Sequence, residues 1–331
     1  MNIAAVQTVC YVLTSDGRDA FADMALVSML SLRISNPGLR VVAVCDAASA
    51  EAIKATKHRI LEVCDAVVSV PTPGGEPAFR NRWVKTQLCK YVEGEVLFLD
   101  ADTLVRGSLE DLPALVLELG AVANHNGAAL SDQIWSEDRQ VLEGMDWPDN
   151  FDVYVNGGVF FFKPCPRVRE FFARWHELWL AGVSANRRLR DQASLNSAIL
   201  SSRVDMRILP PAYNAQLVNC LSHTSKGIVW HFYASARTDK TAFDLLVKTA
   251  KDMSLVRLQH SISRVLRGPA PWLNLDWFAR HLAKRVELCG SARTEEWLWL
   301  SGRRMDAVRF TLGKARQALA KHFRRFDAGG R

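Results

Sequence analysis

The sequence predicts an α/β fold, with an open, mostly parallel Rossmann-like sheet that has helices on both faces and a helical extension at the C-terminus. Over the first 105 residues, short apolar segments alternate with segments of helical periodicity, and this alternation is typical of parallel strands joined by crossover helices. One apolar segment, Val96–Leu99, has no polar alternation, as expected for a strand buried on both faces. The 331 residues fit one such domain, residues 1–240, with an addition, residues 241–331.

The individual elements follow from apolar patterning and from turn residues. The Asn36-Pro37-Gly38 turn ends the first helix, and Pro166 begins an amphipathic helix. The segment 131–152 has no clean period, which predicts a loop with short helices. The predicted strands are 7–14, 39–45, 66–70, 96–99, 120–124, 159–162 and 228–232, and the predicted helices are 19–34, 82–92, 166–180 and 191–200, with mainly helical structure after residue 241.

Composition excludes several classes of protein. With 49% hydrophobic and 23% charged residues, the chain has the balance of a soluble globular protein, and no apolar run approaches the ~20 residues of a transmembrane helix. The first residues do not follow the pattern of a secretory leader. The seven cysteines are scattered without a C-x-x-C pair, which favours free thiols in a reducing compartment. We therefore expect a cytoplasmic protein.

Two carboxylates interrupt the most hydrophobic stretch, VLFLDADTLV. Asp100 and Asp102 follow the predicted strand, and because strand side chains alternate, both point to the same side. Hard divalent cations such as Mg²⁺ or Mn²⁺ prefer carboxylate oxygens, and ligands bind at the carboxyl ends of strands in open α/β sheets. A solvated acidic turn after a core strand is the alternative.

Two further stretches combine polar residues with predicted strands. The first is Asn156-Gly157-Gly158, where glycines permit close approach of a ligand or simply form a turn. The second is His231, which lies in an apolar strand; such a histidine is either a core residue or a nitrogen ligand beside carboxylates, suited to Mn²⁺.

Two helical stretches also carry charged residues. Asp191 starts a predicted helix with Gln192, where it can serve as an N-cap or as a functional carboxylate. The segment 80–85 precedes the acidic strand and ends at Lys85. Its cations either face solvent or bind a diphosphate.

In this order and spacing, the D-x-D, N-G-G, D-Q and W-H-F stretches resemble the A-type glycosyltransferases. The resemblance is to the retaining group (glycosyltransferase family 8) that includes glycogenin and bacterial lipopolysaccharide glucosyl- and galactosyltransferases. It runs over about residues 7–235 and includes the stretches YVLTSD and ALVSMLSLR. It implies transfer of a hexose from a nucleotide sugar, usually a UDP-sugar, to a saccharide, lipid-linked or protein acceptor. It also implies retention of configuration, with Mn²⁺ or Mg²⁺ as the cofactor.

The resemblance assigns the residues around the metal. Asp100, Ala101 and Asp102 match the D-x-D motif, which would bind the metal and the donor. His231 would be the third metal ligand, and Lys85 would face the donor phosphate or sugar.

The remaining assignments concern the two ends of the donor. Thr14 and Asp16 would contact the base or ribose, and Asn156 and Gly158 would face the donor sugar. The residues expected beside the anomeric carbon are Asp191 and Gln192.

The sequence departs from the family pattern after the predicted metal ligand. The family often continues with a glycine and a K-P-W-type segment that grips the diphosphate, whereas this chain reads HFYASARTDK. Two other functions stay open. One is a haloacid-dehalogenase-like phosphatase with Asp100 as its nucleophile, although three predicted strands precede the strand that leads into that residue. The other is a non-catalytic protein that binds sugar nucleotides.

The C-terminal quarter carries the basic excess of the chain. Residues 251–331 contain 17 lysines and arginines against 7 acids, in a chain with a formal net charge of +7. The basic residues are diffuse and match no nucleic-acid motif, so we expect no nucleic-acid partner. Between residues 308 and 326, apolar residues recur at helical spacing beside cations. Such a helix can lie on an anionic membrane surface or pack on the catalytic domain.

Overall fold

The structure is a computed structural model that describes residues 8–126, 129–216, 226–233 and 241–268. The described residues form ten strands: β1 Thr8–Leu13, β2 Arg40–Asp46, β3 Ala66–Val70, β4 Val96–Leu99, β5 Thr103–Val105, β6 Leu119–Ala123, β7 Val155–Phe162, β8 Met206–Ile208, β9 Ala215–Gln216 and β10 Val229–His231. They also form ten α-helices: α1 Ala20–Ser35, α2 Ala47–Ala55, α3 Pro77–Lys85, α4 Leu112–Leu115, α5 Leu130–Gln133, α6 Ser136–Gly144, α7 Pro166–Asn186, α8 Gln192–Ser201, α9 Ala242–Ala250 and α10 Leu255–Arg267.

Seven of these strands form one sheet, in the order β3-β2-β1-β4-β7-β6-β8. Only β7 runs against its neighbours, since both of its pairings are antiparallel and the other pairings in this sheet are parallel. A second, three-stranded sheet has the order β5-β10-β9. Its pairing places His231 opposite Thr103, directly after the DAD stretch.

Helices cover both faces of the large sheet, as predicted. On one face, α1 packs with α9 and α10 in a core that includes Leu26, Trp230 and Ile262. On the other face, α3, α7 and α8 pack over a second core with Phe98 and Trp175. Since apolar side chains alternate along β1 and β4, both strands contribute to both cores. The α/β class with a mostly parallel sheet is therefore confirmed.

Several predicted elements have limits that differ from the observed ones, and the helix predicted over 82–92 ends already at Lys85. Strand β7 begins at Val155, four residues before the predicted start, so Asn156, Gly157 and Gly158 lie inside a strand and do not form the alternative turn. Helix α3 begins at Pro77, with proline in its first turn, whereas the prediction began at residue 82. The strands β5, β8 and β9 were not predicted; each has two or three residues.

The first part of the C-terminal extension packs on the α1 face of the large sheet. Phe243 and Leu246 of α9 and Leu258 and Ile262 of α10 belong to the same core as α1. Arg59 donates hydrogen bonds to the carbonyl oxygens of Ala250 and Met253, at the end of α9. The predicted basic tail helix, residues 308–326, lies outside the described residues. Among the helices in the described ranges, none has both the length and the apolar character needed to cross a bilayer.

Candidate functional site

The turn after β4 is held rigidly by backbone and hydroxyl hydrogen bonds. The backbone N–H of Asp100 donates to the carbonyl of Gly158 over 2.8 Å, which continues the β4–β7 ladder by one residue. The Thr103 hydroxyl donates to the Asp100 carbonyl over 2.9 Å, and the N–H of Phe232 donates to the Asp102 carbonyl over 2.8 Å. Three separate strands therefore fix the DAD turn.

His231 faces this turn from strand β10. Its Nε2 lies 3.3 Å from Asp102 Oδ1 but lacks hydrogen-bond geometry to any partner, although the ring is only 2% exposed. One ligand atom from each of Asp100, Asp102 and His231 can be chosen so that all three lie within 4.8 Å of one another. Two carboxylate oxygens and a buried imidazole nitrogen without a hydrogen bond are a donor set that suits Mn²⁺ or Mg²⁺. The residues therefore fit a divalent cation.

Gly158 is required by the close approach of these groups. A Cβ at this position would lie 2.2 Å from His231 Cε1 and 2.9 Å from Asp100 Oδ2. Its neighbour Gly157 has more space, because the nearest atom to a Cβ there is the end of the Leu195 side chain at 3.1 Å. Of the two glycines, Gly158 is thus the one that makes room for the cluster.

Lys85 joins the acidic turn to the start of helix α8. Its Nζ lies 3.3 Å from Asp100 Oδ1 and 3.5 Å from Asp191 Oδ2, and the side chain is 3% exposed. Arg82, one turn earlier in α3, places Nε 3.2 Å from Asp191 Oδ1. These cations therefore do not form a solvated helix face: Lys85 is buried between two carboxylates, and both cations pair with Asp191.

The same contacts set the charge of the two carboxylates. Burial alone would raise the pKa of Asp191, but Lys85 and Arg82 outweigh it and hold that pKa below its usual value, so Asp191 is ionised. Burial raises the pKa of Asp100, assisted by the nearby Asp102 and opposed by Lys85. Asp100 therefore gains from a further positive charge, as a bound cation would supply.

Asp191 occupies the N-cap position of α8 without acting as a cap. Its side chain makes no capping hydrogen bond, since both of its oxygens point to Arg82 and Lys85. The adjacent Gln192 accepts a hydrogen bond from the N–H of Gly157 over 3.3 Å. The capping alternative is thus wrong for Asp191, and both residues face the acidic turn across a cleft.

Two clefts meet at Asp100 and Arg82, which line both. The small cleft, about 150 Å³, is lined on one side of Asp100 by residues from β1, α1, α3 and the DAD turn: Val12, Leu13, Thr14, Phe21, Met24, Asn81, Arg82, Asp100, Ala101 and Asp102. The large cleft, about 480 Å³, is lined by Arg82, Lys85, Asp100, Asn124, Trp135, Asn156, Gly157, Gly158, Arg190, Asp191, Gln192, His231 and Tyr233.

The clefts bring together most of the residues expected from the sequence. Asp16 is the one that lies elsewhere: its exposed carboxylate accepts hydrogen bonds from the N–H groups of Arg18 and Asp19, and it lines neither cleft. Asn156 lines the large cleft, but its amide is engaged by other protein groups. The roles of both residues toward a ligand stay predictions.

Sequence reasoning missed several residues of the large cleft. Trp135 and Arg190 come from the loop region and from the segment before α8, and the Arg190 guanidinium lies 5.6 Å from the centre of the Trp135 ring. Asn124 follows β6 and was assigned only as a strand end. These residues carry no local motif, because their place in the cleft depends on contacts between distant segments.

Neither a protein-family model nor a curated protein matches this chain. Its structure is similar to that of the galactosyltransferase LgtC in complex with donor and acceptor sugar analogues, with 14% identity and a TM-score of 0.48 over 78% of this chain and 96% of that chain. It is also similar to the bifunctional glycosyltransferase WbbM (14% identity, TM-score 0.46, 70% of this chain) and to the glycosyltransferase GlyE of Streptococcus pneumoniae (13%, 0.46, 80% of this chain and 64% of that chain). The chain spans about half, 46%, of the length of WbbM. These similarities concern the fold alone.

Proposed function

We propose that the protein is a divalent-metal-dependent glycosyltransferase that moves a hexose from a nucleotide sugar, a UDP-sugar by resemblance, to an acceptor. The observation that carries this proposal is that the two clefts meet at Asp100, which forms a possible metal site with Asp102 of the small cleft and His231 of the large cleft. A nucleotide sugar has a flat base at one end, a polyhydroxylated ring at the other and a diphosphate between them. The small cleft, the carboxylate cluster and the large cleft offer a matching sequence of environments.

The small cleft fits the nucleoside end of the donor. Phe21 lines it with a side chain that is 58% exposed, and an exposed aromatic ring is a platform on which a base can stack. Thr14, Asn81 and Ala101 lie around the same space. Thr14 and Asn81 bring a hydroxyl and an amide that can bond to the base or ribose.

The centre of the site fits the diphosphate. Asp100, Asp102 and His231 would hold the metal, which supplies Lewis-acid stabilisation of the leaving nucleoside diphosphate when bound. Lys85 and Arg82 place two further positive charges beside Asp100. A buried lysine can stabilise developing negative charge more strongly than one in water can.

The large cleft fits the sugar and the acceptor. Its Asp191 carboxylate is ionised and fixed by two cations, so it can stabilise positive charge that develops at the sugar carbon. The Gln192 amide lies next to it on the same wall. A carboxylate on the wall opposite the leaving group supports transfer with retention of configuration, whether through a covalent adduct or through attack from the leaving-group side.

A panel of nucleotide sugars tests this proposal. The full-length protein is incubated with each donor in Mn²⁺, in Mg²⁺ and in chelator, with and without saccharide or lipid-linked acceptors, and nucleoside diphosphate release is measured. We expect release from one donor class that requires the metal and rises with acceptor. NMR of the product anomeric proton then tests retention. Release of inorganic phosphate from phosphate esters would support the phosphatase, and donor binding without turnover would support the non-catalytic binding protein.

The structure gives the phosphatase no additional support. Three strands of the sheet precede β4, the strand that leads into Asp100. Within the described ranges, Asp100, Asp102 and His231 form the one group of three or more histidine, cysteine or acidic side chains that could hold a metal. A second acid cluster, which such a phosphatase would need, is not found in that part of the chain.

A further inference from the structure

A chain of buried carboxamides runs from strand β6 to His231. Asn124, Asn156 and Asn214 are 1%, 7% and 0% exposed. Asn156 Nδ2 donates to Asn124 Oδ1 over 3.1 Å, and Asn214 Nδ2 donates to Asn156 Oδ1 over 3.0 Å. At the end of the chain, Asn214 Oδ1 lies 2.9 Å from Nδ1 of His231. Three amides from distant segments therefore lead directly to the imidazole.

The orientation of each amide is fixed by groups that can play only one role. Asn124 Nδ2 meets the carbonyl oxygen of Gln133 at 2.6 Å, and a carbonyl can only accept. Asn156 Oδ1 meets the backbone N–H of Gly158 at 2.9 Å, and a backbone N–H can only donate. Reversing either amide would place two donors or two acceptors face to face. Because Asn156 Oδ1 can only accept, the atom of Asn214 that faces it must be Nδ2. Asn214 Oδ1 therefore points toward Nδ1 of His231.

From this network we propose that Asn214 is a positioning residue that holds His231 in the Nδ1–H tautomer. Since Asn214 Oδ1 can only accept, Nδ1 of the ring must carry the hydrogen. The lone pair of the neutral imidazole is then on Nε2, the atom that faces Asp102 at 3.3 Å. Asn214 thus prepares the ring to bind a cation between the two carboxylates, in the way that outer hydrogen bonds orient metal-binding histidines in general.

Without Asn214, the opposite tautomer would be favoured in the metal-free protein. An Nε2–H could donate to the Asp102 carboxylate, and the proton would then occupy the position that a cation needs. Metal binding would require this proton to move to Nδ1 or to solvent. The metal role of His231 rests on the proposed function, but the tautomer assignment follows from the amide network alone.

Nitrogen NMR of the full-length, metal-free protein tests the tautomer directly. Histidine is labelled with ¹⁵N, spectra are recorded at about pH 8, above the ordinary histidine pKa of about 6.5, and His231 is assigned by the signal lost in His231→Gln. We expect a protonated Nδ1 and an unprotonated Nε2 in the wild type. A protonated Nε2 in the wild type would overturn the inference without any further variant.

Two substitutions of Asn214 then test its role. Asn214→Ala removes the acceptor, and we expect the Nε2–H tautomer and a 10- to 100-fold weaker affinity for Mn²⁺ in calorimetry, the usual range for loss of such a partner. Asn214→Asp keeps an oxygen toward Nδ1, and we expect it to keep the wild-type tautomer and to bind Mn²⁺ more tightly than Asn214→Ala. If Asn214→Ala does not fold, the wild-type spectrum and Asn214→Asp still decide the question.

Gln216→Ala is the matched control. Gln216 is also a fully buried carboxamide, two residues further along, but its side chain bonds to the backbone of His125 and Ala123. We expect it to lower stability without changing the tautomer. An equal shift in both alanine variants would show that Asn214 acts only through general packing. If the tautomer and Mn²⁺ results hold but no nucleotide sugar is turned over, the proposed function fails and this inference stands.

Discussion

The two clefts that meet at Asp100 differ in the groups that line them. Half of the ten side chains that line the small cleft are apolar, among them Val12, Phe21 and Met24 near the start of the chain. The large cleft is lined mainly by amides and charged groups from segments between residues 82 and 233. Only Arg82 and Asp100 belong to both. A ligand with a flat apolar face suits the first, and a ligand with many hydroxyl groups suits the second.

The difference also concerns how each cleft is assembled. The residues that line the small cleft come from β1, α1, α3 and the DAD turn, all within the first half of the chain. The large cleft requires β7, α8 and β10 to come together. A ligand that spans both clefts would therefore connect an early part of the fold with a late one through the acidic turn. The following substitutions first address the junction, which is the acidic turn at Asp100 where the two clefts meet, and then one cleft at a time.

Removal of one carboxylate at the junction should have the largest effect. Asp102→Asn eliminates one negative charge from the group of three possible metal ligands. Because a bound cation contributes several kcal/mol to stabilising a leaving diphosphate, we expect turnover to fall by about 10³-fold at saturating Mn²⁺. Steady-state release of nucleoside diphosphate measures this. The fold should survive, because less repulsion remains around Asp100.

Glu177→Gln is a control for the loss of one negative charge. Glu177 is exposed on α7, where it pairs with Arg174, and its substitution should leave turnover unchanged. If Asp102→Asn retained wild-type turnover at saturating Mn²⁺, the assignment of the acidic turn as a metal site would be wrong.

The two adjacent glycines of β7 allow the metal-ligand cluster and the wall of the large cleft to be tested separately. In Gly158→Ala, the new methyl group would overlap His231 and Asp100, whereas in Gly157→Ala it meets the movable end of Leu195. We expect Gly158→Ala to weaken Mn²⁺ binding by about 10- to 100-fold, the range for a disturbed ligand sphere, and Gly157→Ala to change it little. Calorimetric titration of both variants tests the difference. Equal Mn²⁺ affinity in the two variants would contradict the geometry of the cluster.

The elements around the small cleft were largely predictable from the sequence. Strands β1 to β4 are apolar runs bounded by turn residues, and their predicted and observed limits agree within one or two residues. Asp19, the first residue of the first predicted helix, is the residue that caps α1, where it accepts hydrogen bonds from Phe21 and Ala22. These features arise from local sequence, because β1, β2 and β4 are almost fully buried apolar runs and α1 begins at its own capping residue.

The elements around the large cleft were predicted less completely, for a physical reason. Asn156 and the two glycines after it disfavour strands, and they lie in β7 because Asp100 and Asn124 bond to that strand from other segments. Strand β10 lies within the predicted strand 228–232, whereas β9, which has two residues and pairs with β10, was not predicted. Asn214 showed no local signal at all, since an amide becomes a positioning group only when its partners come together in the fold.

The small cleft can be tested separately through its exposed aromatic side chain. Phe21→Ala removes the proposed stacking platform, while its backbone N–H remains available to Asp19. Since stacking of a base on an aromatic ring is worth about 1–3 kcal/mol, we expect affinity for UDP in Mn²⁺ to fall by about 10-fold, with Mn²⁺ affinity unchanged. Calorimetry with UDP and with Mn²⁺ alone distinguishes the two.

Leu117→Ala is the control for loss of an exposed apolar side chain. Leu117 is 70% exposed and lines neither cleft, so UDP affinity should not change. If Phe21→Ala bound UDP as tightly as Leu117→Ala, the small cleft would not be the base site, and the contrast between the two clefts would lose its functional meaning.

The smallest effect concerns the support of α3, the helix that contributes Arg82 to both clefts. His176 of α7 bonds through Nδ1 to the Thr86 hydroxyl at 2.7 Å, and Thr86 in turn donates to the carbonyl of Arg82. Burial, together with the charge of Lys90, lowers the pKa of His176 from 6.5 to about 4. Because the folded state disfavours the protonated ring, this contribution to stability is complete above about pH 6.5 and is lost as the pH falls toward about 4.

Replacement of His176 should make the free energy of unfolding fall less steeply as the pH is lowered. We expect His176→Asn, which cannot be protonated, to lose less stability than the wild type between about pH 7 and pH 5, by about 1 kcal/mol after allowance for partial exposure. Urea unfolding at both pH values measures the free energies, and comparing the two changes cancels the other titrating groups.

His58→Asn is a control, since His58 is also partly buried but pairs with Asp23. If the wild type and His176→Asn lost equal stability on acidification, His176 would not be the source of the pH dependence. The packing of α7 against α3 would then have to be explained by the aromatic contact between His176 and Trp83.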